Sequence, residues 1–109
     1  MATAYKVLGQ SNPAATTLTS LYTVPAATSA VVSSITIANL GASAGTFRIA
    51  VRPAGEAIAN KHYLALDTTI AALDTITLTL GITLATTDVI SVYASTATMA
   101  FQAFGSEIS

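Results

Sequence analysis

The chain has 109 residues, a formal net charge of −1 and 8% charged residues, where soluble domains ordinarily carry roughly 25%. That length bounds it to one domain with a single core, and so little charge removes the electrostatic case for nucleic acid or an anionic membrane as partner. With no cysteine there are no disulfides, thiolate nucleophiles or zinc–thiolate sites, and 52% hydrophobic residues argue against disorder.

Residues 1–10 lack a basic segment followed by an apolar core, so no secretory signal is expected. No apolar run approaches the ~18 residues of a membrane helix. An outer-membrane barrel would need longer strands and aromatic girdles. The exterior reads as mostly Thr, Ser and Ala, a poor solubility design for a free monomer and a good one for a protein whose faces are covered by neighbours.

In chain order, residues 4–8 read as an edge-lying strand ending at Gly9, and residues 1–12 either as part of that edge or as an N-terminal arm. Ser11-Asn12-Pro13 is a turn signal. Residues 17–24 form a strand with Leu18, Tyr22 and Val24 on one side and Leu21 on the other. Residues 30–53 then read as a hairpin. Val31, Ile35 and Ile37 share one parity of its first arm, and Phe47, Ile49 and Val51 one face of its second, with Arg48, Ala50 and Arg52 opposite. The loop between them, Gly41 to Gly45, suits backbone with positive φ, and Pro53 closes the second arm.

Residues 54–60 are either one helical turn or an open loop. Residues 61–67 predict a strand with Leu64 and Leu66 inward, followed by a turn at Asp67-Thr68-Thr69. Residues 74–80 alternate Ile76, Leu78 and Leu80 against Thr75, Thr77 and Thr79 until Gly81 ends or bulges the strand. Asp88 opens the next strand, in which Ile90 and Val92 oppose Val89, Ser91 and Tyr93. The last segment, 98–108, carries Met99 and Phe101 on one face and Gln102 and Phe104 on the other. About eight short strands with turns between them predict an all-β, single-domain antiparallel β-sandwich, jelly-roll-like, spanning residues 1–109.

Chemistry is sparse. His62, the only histidine, reads as a packing or interface residue, since a general base needs an orienting carboxylate that the sequence does not place nearby. Asp67, Asp74 and Asp88 stand at strand boundaries, as capping residues rather than a calcium loop or a glycosidase pair. Arg48 and Arg52, about 13 Å apart on one strand face at ~3.3 Å per residue, are with His62 the candidate subunit-interface residues; arginine's planar fork suits interfacial carboxylates and carbonyls. The Gly41–Gly45 loop lacks the Lys-Ser/Thr and helix of a phosphate cradle. Tyrosines are candidate sugar-stacking platforms, although Tyr22, Tyr63 and Tyr93 fall in strands, where packing is the commoner role. No catalytic residue, cofactor or metal is expected, and an enzyme is disfavoured.

Tyr22-Thr23-Val24-Pro25-Ala26, Phe47-Arg48-Ile49-Ala50-Val51-Arg52-Pro53-Ala54-Gly55 and Asn60-Lys61-His62-Tyr63-Leu64 carry a family resemblance. So do Leu78-Thr79-Leu80-Gly81, Asp88-Val89-Ile90-Ser91-Val92-Tyr93-Ala94 and Phe104-Gly105-Ser106-Glu107-Ile108. Over nearly all the chain after about residue 18, these runs resemble small virion structural proteins of tailed bacteriophages, including cyanophages. The resemblance implies a β-sandwich building block of the virion without catalytic residues. The expected role is a capsid decoration (cement) protein, a homo-oligomer and most readily a homotrimer, bound to virion proteins such as the major capsid protein. A tail, neck, baseplate or fibre component is the alternative, and a carbohydrate-binding module for the host surface a remote one.

Overall fold

A computed structural model describes residues 2–109. Eight strands follow in order: β1 (Thr3–Ser11), β2 (Thr19–Thr23), β3 (Ser29–Asn39), β4 (Gly45–Arg52), β5 (Tyr63–Ile70), β6 (Thr75–Leu84), β7 (Val89–Ala94) and β8 (Met99–Ile108). They make two four-stranded antiparallel sheets, ordered β1-β8-β3-β6 (sheet A) and β2-β7-β4-β5 (sheet B). The order is that of a long antiparallel ribbon rolled on itself, the eight-stranded jelly roll. The expected β-sandwich is therefore present, and residues 3–11 are an integral edge strand of it.

Residues 30–53 are not a hairpin. β3 lies in sheet A between β8 and β6, and β4 in sheet B between β7 and β5, so the chain crosses from one sheet to the other between them. Each strand has one largely apolar face, and facing each other across the core buries both. Phe47 of β4 meets Phe101 of β8 edge-to-face at 6.3 Å, joining interior strands of the two sheets. Neither loop glycine has positive φ. A Cβ at Gly41 would sit 2.8 Å from the Thr98 hydroxyl oxygen, and one at Gly45 would sit 2.6 Å from the Met99 methyl carbon. These positions are small because the β7–β8 loop passes close by.

Bulges account for the other departures from strict alternation. A register shift at Ser33 turns Val32, not Val31, into the core beside Ile35 and Ile37. The β6 side of that shift holds Leu80 and Gly81, and the strand continues to Leu84. Another shift at Leu21 lets both Leu21 and Tyr22 reach the core. In β5 two shifts leave Ala65 facing the core and Leu64 and Leu66 about half exposed, the reverse of expectation. Asp67 lies inside β5 at φ 50, and the turn falls after Ile70. An aspartate tolerates that left-handed backbone better than most residues.

One end of the sandwich is tied by Asn39, which follows Ile35 and Ile37 on the inward parity of β3 and is buried. Its Nδ2 donates to the carbonyls of Ser43 (2.9 Å) and Ala71 (3.3 Å). Its Oδ1 accepts from the Gly41 N–H (3.0 Å) and the Thr98 hydroxyl (3.1 Å). One amide thus joins the β3–β4, β5–β6 and β7–β8 loops with its hydrogen-bonding capacity used. Asn39→Ala strands these buried groups and is expected to cost about 2–3 kcal/mol. Urea unfolding measures it, and a loss under about 0.5 kcal/mol contradicts the role.

Candidate functional site

Charge is segregated in this molecule. On the outer face of sheet A, cross-strand rows run Tyr5–Ser106–Val31–Thr83, Val7–Phe104–Ser34–Thr79, Gln10–Gln102–Thr36–Thr77 and Ala100–Ala38–Thr75. None of these residues carries a charge at neutral pH. Tyr5 is 86% and Val7 47% exposed, with Phe104 half-buried between Val7 and Ser34. Lys6 and Glu107, on the same strands, fall on the opposite parity, toward sheet B.

At that inner end, Lys6 Nζ lies 2.7 Å from Glu107 Oε1, and the Tyr22 hydroxyl donates to Glu107 Oε2 at 2.6 Å. Lys6, then the Tyr22 hydrogen bond, hold the Glu107 carboxyl below its ordinary 4.5. Burial, then the Glu107 acceptor, push the Tyr22 hydroxyl well up. The cluster sits where β1 and β2 close on each other; a Cβ at Gly9 would stand 2.1 Å from the Leu21 carbonyl oxygen.

The outer face of sheet B carries the candidate residues. Arg48 grips Asp67 through Nε (2.7 Å) and Nη2 (3.2 Å), and its guanidinium lies 4.3 Å from the centre of the Tyr93 ring. That fork holds the Asp67 carboxyl below its usual value and raises Arg48 further. Arg52 donates through Nε to the Glu56 carbonyl (2.6 Å), through Nη2 to that of Gly55 (3.1 Å), and through Nη1 to the Ser91 hydroxyl (3.2 Å). It pins the β4–β5 connection, residues 53–62, whose two 3₁₀ turns are Pro53–Gly55 and Asn60–His62. Beside Arg52 on that face, Ala50 and Ser91 are fully buried.

His62 is 5% exposed. Its Nδ1 accepts from the Ala59 N–H at 3.0 Å, which leaves the ring proton on Nε2 to be donated to Glu56 Oε1 at 3.2 Å. Glu56 is the orienting carboxylate that sequence did not place, and it is held below its ordinary value first by His62 and then by Lys61. Both ring nitrogens are engaged within residues 56–62, so the imidazole staples the loop. Asp88 does similar work: Oδ1 accepts from the Ala54 N–H (2.9 Å) and Oδ2 from that of Ala85 (2.8 Å). Asp74 accepts from the Thr75 N–H.

Arg48, Arg52 and His62 thus share one face, each with its polar atoms turned onto this chain's own acceptors and donors. Among the described residues no three or more His, Asp or Glu side chains group as metal ligands, and no helix is long and apolar enough to cross a membrane. The tyrosines are dispersed: Tyr22 is buried in the core, Tyr63 and Tyr93 are half-buried on sheet B, and Tyr5 stands alone on sheet A. Asn39 and the Lys6–Glu107–Tyr22 cluster escaped the sequence reading. A polar residue on the Ile35–Ile37 parity signals the first; nothing local signals the second, whose members are brought together from three strands.

The geometry defines a jelly-roll sandwich with one uncharged sheet face and one charged face. No family model, curated protein or solved structure matches the chain.

Glu107 gives a pH prediction. Its folded-state pKa lies below the unfolded value, so its contribution is complete above about pH 4.5 and is lost as pH falls through the depressed value. Glu107→Gln should cost about 1 kcal/mol near neutral pH. Because a protonated glutamate resembles glutamine, the gap from the parent should close below about pH 3. Urea midpoints at the two pH values decide it, and a constant gap contradicts the assignment.

Proposed function

We propose that this chain is a structural protein of a bacteriophage virion, a capsid decoration protein that binds the assembled shell as a homotrimer and stabilises it. The observation that carries the reading is the charge-free outer face of sheet A, with every charged residue among those described directed elsewhere. Desolvating that face costs no buried charge, and Tyr5, Val7 and Phe104 supply apolar area at its β1 side. The jelly roll is a recurrent architecture of capsid proteins, and the resemblance of residues 18–108 to small phage virion proteins points the same way. In this reading the major capsid protein is the partner, the location is the virion, and no cofactor takes part.

The mechanism is mass action. A subunit that binds the assembled shell and not its dissociated parts stabilises it by RT ln(1 + [L]/Kd), about 2.7 kcal/mol per site at a hundredfold excess over Kd. Particles stripped of the protein should lose heat resistance and regain it when the protein is added back; equal resistance without it overturns the proposal. Val7→Glu, which puts a charge into the apolar β1 side of the face, should weaken binding to particles at least about tenfold. Circular dichroism should be unchanged, and unaltered occupancy would exclude this face. Copy number separates a shell protein, present in hundreds, from a tail or neck component, present in a few dozen or fewer.

A further inference from the structure

The sandwich has four edge strands, and three are guarded. β1 turns Lys6 inward, bulges at Leu8 and closes onto β2 at Gly9. β2 is five residues long with a bulge at Leu21. β5 is broken by two register shifts and carries Asp67 held by Arg48. These are the devices by which native sheets discourage strand addition.

β6 has none of them over residues 75–79, and its one bulge comes after that stretch. It is ten residues long, contains no charge and no proline, and pairs regularly with β3 on its inner side until the shift at Leu80 and Gly81. Its flank is also open. β5 and β6 part beyond their connecting turn, without the close approach seen between β1 and β2, so Ile76, Leu78 and Leu80 remain only half-buried although they share the core-facing parity.

We infer that β6 is a docking edge for a second copy of this chain, added antiparallel about a two-fold axis, joining two four-stranded sheets into one of eight. The strand is self-complementary in that arrangement. An axis near Leu78 sets Thr77 opposite Thr79, and Ile76 opposite Leu80, of the symmetry mate. Hydroxyls meet hydroxyls on one face, aliphatic chains meet on the other, and no like charges oppose. A charged or differently spaced partner strand would lose one of these matches. Six residues give a seam about 20 Å long, and two sheets ~10 Å apart with their side chains make it about 20 Å high. That is at most roughly 800 Å² in total, below the ~1,000 Å² that a stable interface clears, so the pair is a weak one that should dissociate on dilution. The inference needs only the sequence and position of β6, and does not depend on the virion reading.

The test is T77K/T79K, which puts lysine opposite lysine for an axis at residue 77, 78 or 79, on side chains that are exposed in the single chain. Sedimentation and light scattering from about 1 µM to about 1 mM should give the parent an even multiple of the 11.0-kDa chain mass at the upper end. The variant should show half the parent's mass at the same concentration, with an unchanged circular dichroism spectrum. Ser20→Lys, the same charge on β2, should leave the mass as it is. As a measurement on the unaltered protein, amide exchange over residues 75–80 should slow at least about tenfold between the two concentrations. An odd or monomeric parent mass throughout, open-ended aggregation, an unchanged variant mass, or exchange independent of concentration overturns the inference. The homotrimer is judged separately, by divisibility of the mass by three, so either reading can fail alone.

Discussion

The arrangement depends on β3 and β4 facing each other across the core. Had they paired side by side, Ile35, Ile37, Phe47 and Ile49 would form one wide apolar sheet face needing another layer to cover it. Crossing between sheets lets each strand cover the other, and the Phe47–Phe101 contact joins interior strands of the two sheets across the core. The remaining strands extend this crossing outward as a rolled ribbon. The loops at the crossing end must then approach closely, which is why Asn39 sits among them and why Gly41 and Gly45 have no room for a side chain.

The same crossing governs where charge can lie. Sheet A has its two central strands, β3 and β8, filled with small or uncharged residues on the outside. Sheet B carries the arginines and the ten-residue connection that Arg52 holds. Arg52, Asp88 and the His62–Glu56 pair each place hydrogen bonds on that connection. Side chains of the kind that often make sites are thus occupied in fastening a loop.

Much of this was legible in the residues. All eight strands are visible as short apolar or alternating runs, most clearly in β3 and β6, where one face is more buried than the other. Pairing was less legible. Residues 30–53 have the same pattern whether the two strands lie side by side or face to face, since alternation reports burial and not the neighbour. Bulges erased facing at Val31, Leu64 and Leu66, because one extra residue reverses every side chain beyond it. Of the candidate residues, sequence placed Arg48 and Arg52 on one face but could not supply Asp67, Glu56 or Ser91 as their partners, which come from separate segments. For Asn39 the parity was present in the sequence, beside the isoleucines it follows.

The fastened connection over sheet B also gives the molecule a front and a back. One side is neutral; the other bears a ridge whose crest, Ala57, Ile58 and Ala59, is exposed. Anything approaching the second side meets that crest before it meets the sheet. Both feet of the ridge are anchored by Arg52, Asp88 and His62, so a foreign peptide grafted into the crest would be displayed outward without disturbing the sheets beneath.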